Sequence, residues 1–177
     1  MSRIVLLLAA VSTGLFAGFC FCYTVVVTRG LARLGDEQYV TAMRRLNEVV
    51  PSVPFFLVFI GSLVFTVTAY VLHKPLQPTT QTWLLGAAAV CCLVSVVVSA
   101  TGNIPLNGEL ASAATNSAAD FLHARQSFED RWNTLHAIRT AASALALVLL
   151  VAACVYAPQR GAEARADESA SVPVLSS

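Results

Sequence analysis

Residues 4–28 read IVLLLAAVSTGLFAGFCFCYTVVVT, an uncharged run of 25 residues. About 20 apolar residues are enough for a helix to cross the hydrocarbon core of a bilayer. The run is longer than the apolar core of a secretory signal peptide, and no clean cleavage site follows it before Arg29. The stretch therefore predicts a transmembrane helix that stays in the protein.

Three more apolar runs follow the first. We predict spans at about residues 4–28, 50–72, 83–101 and 138–157, which form one membrane domain over residues 1–157. Only 12 % of the residues are charged, against about a quarter in soluble domains. Residues 158–177 are poor in large apolar side chains and are expected to be disordered. The predicted fold is an all-α membrane protein, a four-helix transmembrane bundle surrounded by lipid in the cell membrane.

The segments between the spans predict three further features. One face of a helix in loop 1 would carry Tyr39, Met43, Leu46 and Val50. This spacing predicts a short amphipathic helix at the membrane surface. Residues 101–108 contain two glycines and a proline, and we expect them to break the third helix. Residues 109–139 read as helix and run without a breaker into the fourth span, so the fourth helix is predicted to be extended.

The helix before the fourth span carries the sharpest polar pattern in the chain. Its members are Phe121, Arg125, Phe128, Trp132, His136 and Arg139. Their spacing places all six within a stripe about 80° wide on a helix. Charged groups near a bilayer are costly unless they are paired or face a wet cavity. The stripe therefore predicts a polar cavity with aromatic walls.

Three asparagines are predicted to lie near the same membrane face. Asn103 and Asn107 flank Pro105 at the end of the third span, and Asn47 precedes the second span. Because spans alternate in direction, both segments emerge on one side. The amides could bind a substrate oxygen, since each has a donor and an acceptor end. They could equally cap helices or satisfy the carbonyls that a proline leaves free.

Other members of the stripe also have simpler interpretations. The arginines could pair with neighbouring acids or contact lipid phosphates, and Trp132 could belong to an interfacial aromatic belt. As a metal or haem ligand, His136 lacks a second ligand at helical spacing on its own face. The five cysteines lie in apolar runs without zinc-site spacing. No metal site is therefore predicted from the sequence.

Several classes of function are disfavoured. The formal net charge is only +1, so no basic surface for nucleic acid is expected. The chain has no catalytic triad, phosphate-binding glycine loop or HExxH motif. It also shows no internal repeat, which makes a transporter the weaker interpretation.

The order of these features resembles the anthrone oxygenase family of small four-span membrane proteins. The resemblance covers about residues 4–157 and depends on four matching pieces. They are Gly14 and Gly18 with the aromatics of the first span, AMRRLN at 42–47, NIPLN at 103–107, and Trp132 with Arg139 and Thr140. His136 departs from the pattern, because the family often has asparagine there. The glycine pair is expected to let another helix approach closely.

The resemblance implies oxidation of an anthrone-type polyketide to the anthraquinone with O2. Deprotonated anthrone is electron-rich enough to react with O2 directly, so no cofactor is predicted beyond O2 as co-substrate; haem and copper stay open. His136 would be the base, and Arg139 would stabilise the enolate oxygen. The expected substrate-binding residues are Asn47, Asn103, Asn107, Arg125, Phe128 and Trp132.

The alternative is a four-span protein without turnover. It would use the same cavity to bind a lipid, a quinone or a partner helix. In either case the expected ligand is small and hydrophobic, and the oligomeric state is left open by the sequence.

Overall fold

A computed structural model describes residues 3–73 and 79–156, and their regular structure is helical throughout. The α-helices are α1 (Arg3–Cys22), α2 (Thr28–Leu31), α3 (Asp36–Val49), α4 (Val53–Leu72), α5 (Thr80–Val98), α6 (Ile104–Ser112) and α7 (Ala118–Val155). A π-helical segment, Tyr23–Val27, joins α1 to α2, and a second, Ser99–Asn103, joins α5 to α6. The predicted disordered tail lies outside the described residues.

Four helical stretches are long and apolar enough to cross a membrane. They are Arg3–Leu31, Val53–Leu72, Thr80–Ser112 and Ala118–Val155. Helices α1 and α5 each pack against both α4 and α7, so the four stretches close into a bundle. The predicted all-α, four-span membrane fold is confirmed.

Small side chains fill much of the bundle core. Its fully buried alanines are Ala9, Ala69, Ala88, Ala146 and Ala153. Many of the larger apolar side chains lie on the outside of the bundle, where lipid would surround them. Lipid tails are as apolar as these side chains, so their exposure to lipid costs little. A Cβ added to Gly14 would lie 3.5 Å from Leu147 Cδ1, an ordinary contact, and one on Gly18 would meet no described atom within 4 Å. The predicted close helix approach is therefore wrong at Gly18.

The third span does not break at residues 101–108. Helix α5 continues through the π-helical segment into α6, and the Ile104 N–H donates to Ser99 O, five residues earlier. Pro105 lacks the N–H that would bond the carbonyl four residues before it. A single π-helical segment accommodates this loss without ending the helix.

The break comes later, so the predicted continuous helix over residues 109–139 is wrong. Helix α6 ends at Ser112, and α7 starts at Ala118. Ser117 Oγ accepts a hydrogen bond of 3.2 Å from Asp120 N and caps α7. A serine followed three residues later by an acid is a known start signal for a helix, and this one marks the true boundary.

The predicted extension of the fourth helix is confirmed. Helix α7 has 38 residues, which at 1.5 Å per residue is about 57 Å. The hydrocarbon core of a bilayer is only about 30 Å thick. A large part of α7 therefore projects beyond the membrane.

The amphipathic helix of loop 1 is α3, and its apolar face lies against protein. Tyr39, Val40 and Met43 are buried, in contact with α6 and with the projecting part of α7. We call α3, α6 and this part of α7 the outer layer. The prediction of an amphipathic helix is correct, and its apolar face is buried because α6 and α7 offer an apolar partner. The place of α3 at the membrane surface stays a prediction.

Candidate functional site

A small aromatic cavity lies where the outer layer meets the bundle, and its volume is about 70 Å³. Its apolar and aromatic lining consists of Phe19, Tyr23, Val50, Pro51, Phe55, Phe56, Phe59, Ile104 and Trp132. Its polar lining consists of Asn47, Ser99, Asn103, Asn107 and Arg139. We call this space the aromatic cavity.

Both π-helical segments border the aromatic cavity. Tyr23 begins the first segment, and Ser99 and Asn103 begin and end the second. A π turn widens a helix and changes which side chains face a given neighbour. The two irregular segments therefore help to bring polar groups of different helices to one point.

Arg139 is the cationic group of the aromatic cavity. Its side chain is buried, with Nε donating to His136 Nδ1 at 2.9 Å and Nη1 donating to Ser99 Oγ at 3.4 Å. The guanidinium carbon lies 5.6 Å from the centroid of the Trp132 ring. Among residues 3–73 and 79–156, no carboxylate forms an ion pair with Arg139. A buried cation without a counter-ion is costly, and an anionic ligand would compensate it.

His136 lies behind Arg139 and does not line the aromatic cavity. Because an arginine N–H can only donate, His136 Nδ1 must be the acceptor of that bond. Nε2, which lies 3.2 Å from Cys20 O, must then carry the proton and donate it. The ring also stacks on Trp132, with centroids 4.8 Å apart and planes 13° apart. The structure therefore holds a neutral imidazole with both nitrogens bonded.

The asparagines link the second π-helical segment and α6 to α7. Asn103 Nδ2 donates to Trp132 O at 3.1 Å, and Trp132 Nε1 donates to Asn107 Oδ1 at 2.7 Å. Asn103 occupies the N-cap position of α6 but makes no capping bond there. The interpretation of Asn103 as a helix cap is therefore not what the structure shows. Trp132 is buried as well, which contradicts a place in an interfacial belt.

Two asparagine atoms are buried without a partner in the described part of the chain. They are Asn47 Nδ2, a donor, and Asn103 Oδ1, an acceptor. Unsatisfied buried polar atoms are rare and costly. Both residues line the aromatic cavity, as Arg139 does, so its wall contains a donor and an acceptor that have no partner in the described chain.

The structure does not bring Arg125 and Phe128 to the aromatic cavity. Phe128 stacks on Trp132 at a centroid distance of 6.0 Å and lines a different cavity, beside Glu109 and His123. Arg125 lies further out in the outer layer.

Arg125 joins loop 1 to α7. Its guanidinium donates to Ala32 O, Leu34 O, Asp36 Oδ1 and Glu129 Oε2 at 2.6–3.2 Å. It also lies 4.5 Å from the ring centroid of Tyr39. Burial and the nearby Glu129 carboxylate raise the pKa of the Tyr39 phenol above its usual value. Arg125 thus pairs with two acids, Asp36 and Glu129, which was one of the simpler interpretations of the arginines in the stripe.

Several cavity residues were missed by sequence reasoning. Phe19 and Tyr23 are four residues apart, as are Phe55 and Phe59, and their rings contact one another. Such spacing resembles an ordinary apolar face, so it did not stand out. Ser99 had no signal at all, because a lone serine in an apolar run is common in membrane helices.

A second, larger cavity adjoins the first and is polar. It has a volume of about 490 Å³ and lies on the outer layer. Its lining is Thr41, Arg44, Arg45, Asn47, Glu48, Asn107, Gly108 and Ala111. Asn47 and Asn107 line both cavities. We call this second space the polar vestibule.

Protein ligands for a metal ion are not clustered in the described ranges. No group of three or more His, Cys, Asp or Glu side chains there could hold one. The absence of a cofactor stays a prediction, since haem and copper can be held by fewer side chains.

The fold and the site define a class: a four-span helical membrane protein whose aromatic cavity holds a buried arginine without an ion-pair partner in the described ranges. Residues 44–149 match the sequence profile of the family described as anthrone oxygenase, and this range is more than half of the chain. The chain therefore belongs to the anthrone oxygenase family. No curated protein and no solved structure matches the chain. The matched range contains Asn47, Asn103, Asn107, Trp132, His136 and Arg139.

Proposed function

We propose that this protein oxidises a flat, enolisable aromatic ketone of the anthrone type to the quinone with O2 in the aromatic cavity. The observation that carries the proposal is Arg139, a buried guanidinium with no carboxylate partner in the described chain, beside the unpartnered Asn47 Nδ2. Two donors that converge on an aromatic cavity suit a ring ketone whose oxygen becomes negative during the reaction.

The reaction balances with O2 as the sole oxidant. Loss of a benzylic proton gives an enolate, whose charge is shared between the ketone oxygen and the opposite ring carbon. That carbon forms a bond to O2, and its second hydrogen is then lost as a proton while the O–O bond breaks. One oxygen atom stays as the new carbonyl and the other leaves in water. Since the enolate itself reduces O2, the scheme needs neither metal nor flavin.

In this scheme Arg139 and Asn47 donate hydrogen bonds to the enolate oxygen. Donors that are fixed in place before the charge develops stabilise a transition state most effectively. Tyr23, Phe55 and Trp132 would contact the faces and edges of the rings. Arg125 and Phe128, expected from the sequence to bind substrate, would act from the outer layer by supporting Tyr39 and Trp132.

Substrate binding must widen the aromatic cavity. Its volume of about 70 Å³ is far below the roughly 300–1,000 Å³ of typical ligand pockets. Phe56 borders the cavity and is 46 % exposed, which leaves its ring free to move outward.

We assign His136 a positioning role in place of the base expected from the sequence. Its Nδ1 can accept a proton only after Arg139 leaves it, and that would remove the oxyanion contact when it is needed. The substrate proton would pass instead to water. An acidic benzylic C–H makes water a sufficient acceptor once the enolate is stabilised.

The apolar substrate fits a protein embedded in lipid. A flat polycyclic ketone partitions into the bilayer, and the described residues include four helical stretches that are long and apolar enough to cross it. We propose the cell membrane as the location.

The test is oxidation of anthrone by the purified protein in lipid nanodiscs, followed as O2 uptake and quinone absorbance. We expect Arg139→Ala to lower kcat/KM about 100- to 1,000-fold, as loss of an oxyanion donor does. The matched control is Arg131→Ala. Arg131 is on the same helix, but its side chain is 65 % exposed and it forms a surface ion pair with Glu109 at 3.6 Å. Equal rates for parent and Arg139→Ala would overturn the proposal. Metal analysis and the optical spectrum of the active protein would detect haem or copper.

Quinone binding without turnover is the second candidate, because a quinone carbonyl would accept from the same two donors. Its distinguishing result is quenching of Trp132 emission by quinone in a preparation that consumes no O2 with anthrone.

A further inference from the structure

The polar vestibule and the aromatic cavity differ greatly in size. Their volumes are about 490 Å³ and 70 Å³. Each buried water needs roughly 10–15 Å³ of such volume, so the aromatic cavity holds little more than a single ring. A three-ring substrate must therefore extend out of it.

The substrate has two ways to extend. Towards the lipid, the aromatic cavity is bordered by the exposed apolar side chains of Phe56 and Ile104. Towards the outer layer, it shares Asn47 and Asn107 with the polar vestibule. The ketone is in the middle ring, so the two outer rings leave the aromatic cavity on opposite sides. An outer ring that carries hydroxyl or carbonyl oxygens would lose hydrogen bonds in lipid, which favours the side of the polar vestibule for that ring.

The shared wall offers a free hydrogen-bond donor. Asn47 Nδ2 is buried and has no partner within the described ranges. The Asn107 amide oxygen is already used by Trp132 Nε1. A ligand that passes between the two spaces would meet Asn47 first, and an acceptor oxygen there would satisfy it.

The charged groups of the polar vestibule leave room for a neutral ligand. Arg44 lines the space, but its guanidinium already donates to Leu110 O, Ala113 O and Thr115 Oγ1. Arg45 and Glu48 form an exposed pair at 2.9 Å and neutralise each other. The chemistry available to a neutral ligand is therefore hydrogen bonding by Asn47, by Thr41 and by water.

We propose that the polar vestibule is a second binding subsite, which holds the oxygen-bearing outer ring of a polycyclic aromatic ketone. The ketone-bearing middle ring lies in the aromatic cavity. One hydrogen of Asn47 Nδ2 contacts the enolate oxygen, and the other contacts an acceptor oxygen of the outer ring at the junction. The subsite rests on the proposed function, and it sets which substituted aromatic ketones the protein accepts.

Gly108 allows a clean test. It lines the polar vestibule, and a Cβ added there would meet no described atom within 4 Å. Gly108→Leu therefore narrows the polar vestibule, and its Cβ would meet no described atom of a neighbouring helix within 4 Å. Gly30→Leu is the matched control, because Gly30 is also helical, exposed and open in the same sense.

The first readout is binding, which does not depend on turnover. Trp132 emission, isolated by Trp83→Phe, would be titrated with phenol, anthraquinone and a hydroxylated anthraquinone. We expect the hydroxylated quinone to bind the parent most tightly, and Gly108→Leu to weaken it about tenfold, as loss of a ring position and a hydrogen bond would. Phenol binding should be unchanged in both glycine variants. Equal weakening of phenol, or no weakening of the hydroxylated quinone, would overturn the subsite.

The second readout is turnover of hydroxylated anthrone. Gly108→Leu should raise KM by the same factor and leave kcat unchanged, because the reacting ring is elsewhere. If the parent oxidises no anthrone while the binding pattern holds, the proposed oxidation fails and the subsite stands. If oxidation occurs with KM unaffected by Gly108→Leu, the subsite fails and the oxidation stands.

Discussion

At the scale of single residues, the contacts of Arg139 decide what the site can bind. His136 takes its Nε–H and Ser99 takes one of its Nη1 hydrogens, which fixes the guanidinium above the Trp132 ring. The desolvation cost of such a cation is several kcal/mol unless an anion or strong acceptors compensate it. The site is therefore poised for a ligand that carries, or develops, negative charge.

Two substitutions of His136 separate positioning from base catalysis. Glutamine can accept from Arg139 and donate to Cys20 O, whereas phenylalanine keeps only the ring stack. We expect His136→Gln to retain kcat within about tenfold of the parent and His136→Phe to lose about 100-fold, since the oxyanion donor is then misplaced. Anthrone oxidation by both variants at equal abundance is the measurement. A comparable loss in His136→Gln, together with a vanished pH dependence of kcat, would identify His136 as the base instead.

At the scale of secondary-structure elements, the second π-helical segment sets the distance between the third and fourth spans. Gly102 lies in it, facing Leu135 of α7. A Cβ at Gly102 would be 2.6 Å from Leu135 Cδ1, closer than carbon atoms pack. The absence of a side chain lets Asn103 reach the backbone of Trp132.

Gly102→Ala should lower the thermal midpoint in detergent and weaken quinone binding. Both methyl carbons of Leu135 lie within 3.3 Å of the new Cβ, so this side chain must turn away from it. We expect the lost packing of Leu135 to cost about 1–3 kcal/mol, more than the roughly 0.5–1 kcal/mol that alanine gains in a helix. The double variant Gly102→Ala/Leu135→Ala should recover binding relative to Gly102→Ala, because the clashing methyl groups are gone. Gly30→Ala is the control. Its new Cβ would meet no described atom within 4 Å, so it reports only the stability that alanine adds to a helix. Weaker binding in the double variant than in Gly102→Ala would contradict the clash.

At the scale of the whole molecule, the outer layer and the membrane bundle meet at the aromatic cavity. Arg125 ties loop 1 to α7 through two carbonyl oxygens and the Asp36 carboxylate, and Arg44 ties α3 to the end of α6. The outer layer has a hydrophobic core of its own, which extends from Tyr39 to Trp132. The walls of the cavity thus depend on contacts between segments that are distant in sequence.

Loss of Arg125 should loosen the outer layer and leave the bundle intact. Arg125→Ala removes partly buried, charge-assisted hydrogen bonds worth about 1.5–3 kcal/mol each before compensation by water. We expect faster hydrogen exchange in α3 and a lower quinone affinity, with unchanged exchange in the spanning part of α5. Arg45→Ala is the comparison, because its pair with Glu48 is exposed on both sides and contributes about 0–1 kcal/mol. The same exchange rates in α3 for parent and Arg125→Ala would contradict a tethering role.

The sequence by itself determined the class of fold, the four spans and the residues of α7 that face inward. Apolar run length and a repeat of 3.6 residues are local properties, and burial follows from them directly. The tertiary structure alone decided which members of the stripe share a space: Trp132 and Arg139 line the aromatic cavity, while Arg125 and Phe128 do not. It also placed Tyr23 and Phe55 there, supplied by other helices. A π-helical segment rotates the residues that follow it about the helix axis, relative to an unbroken α-helix. The faces of α2 and α6 therefore could not be derived from regular helical spacing.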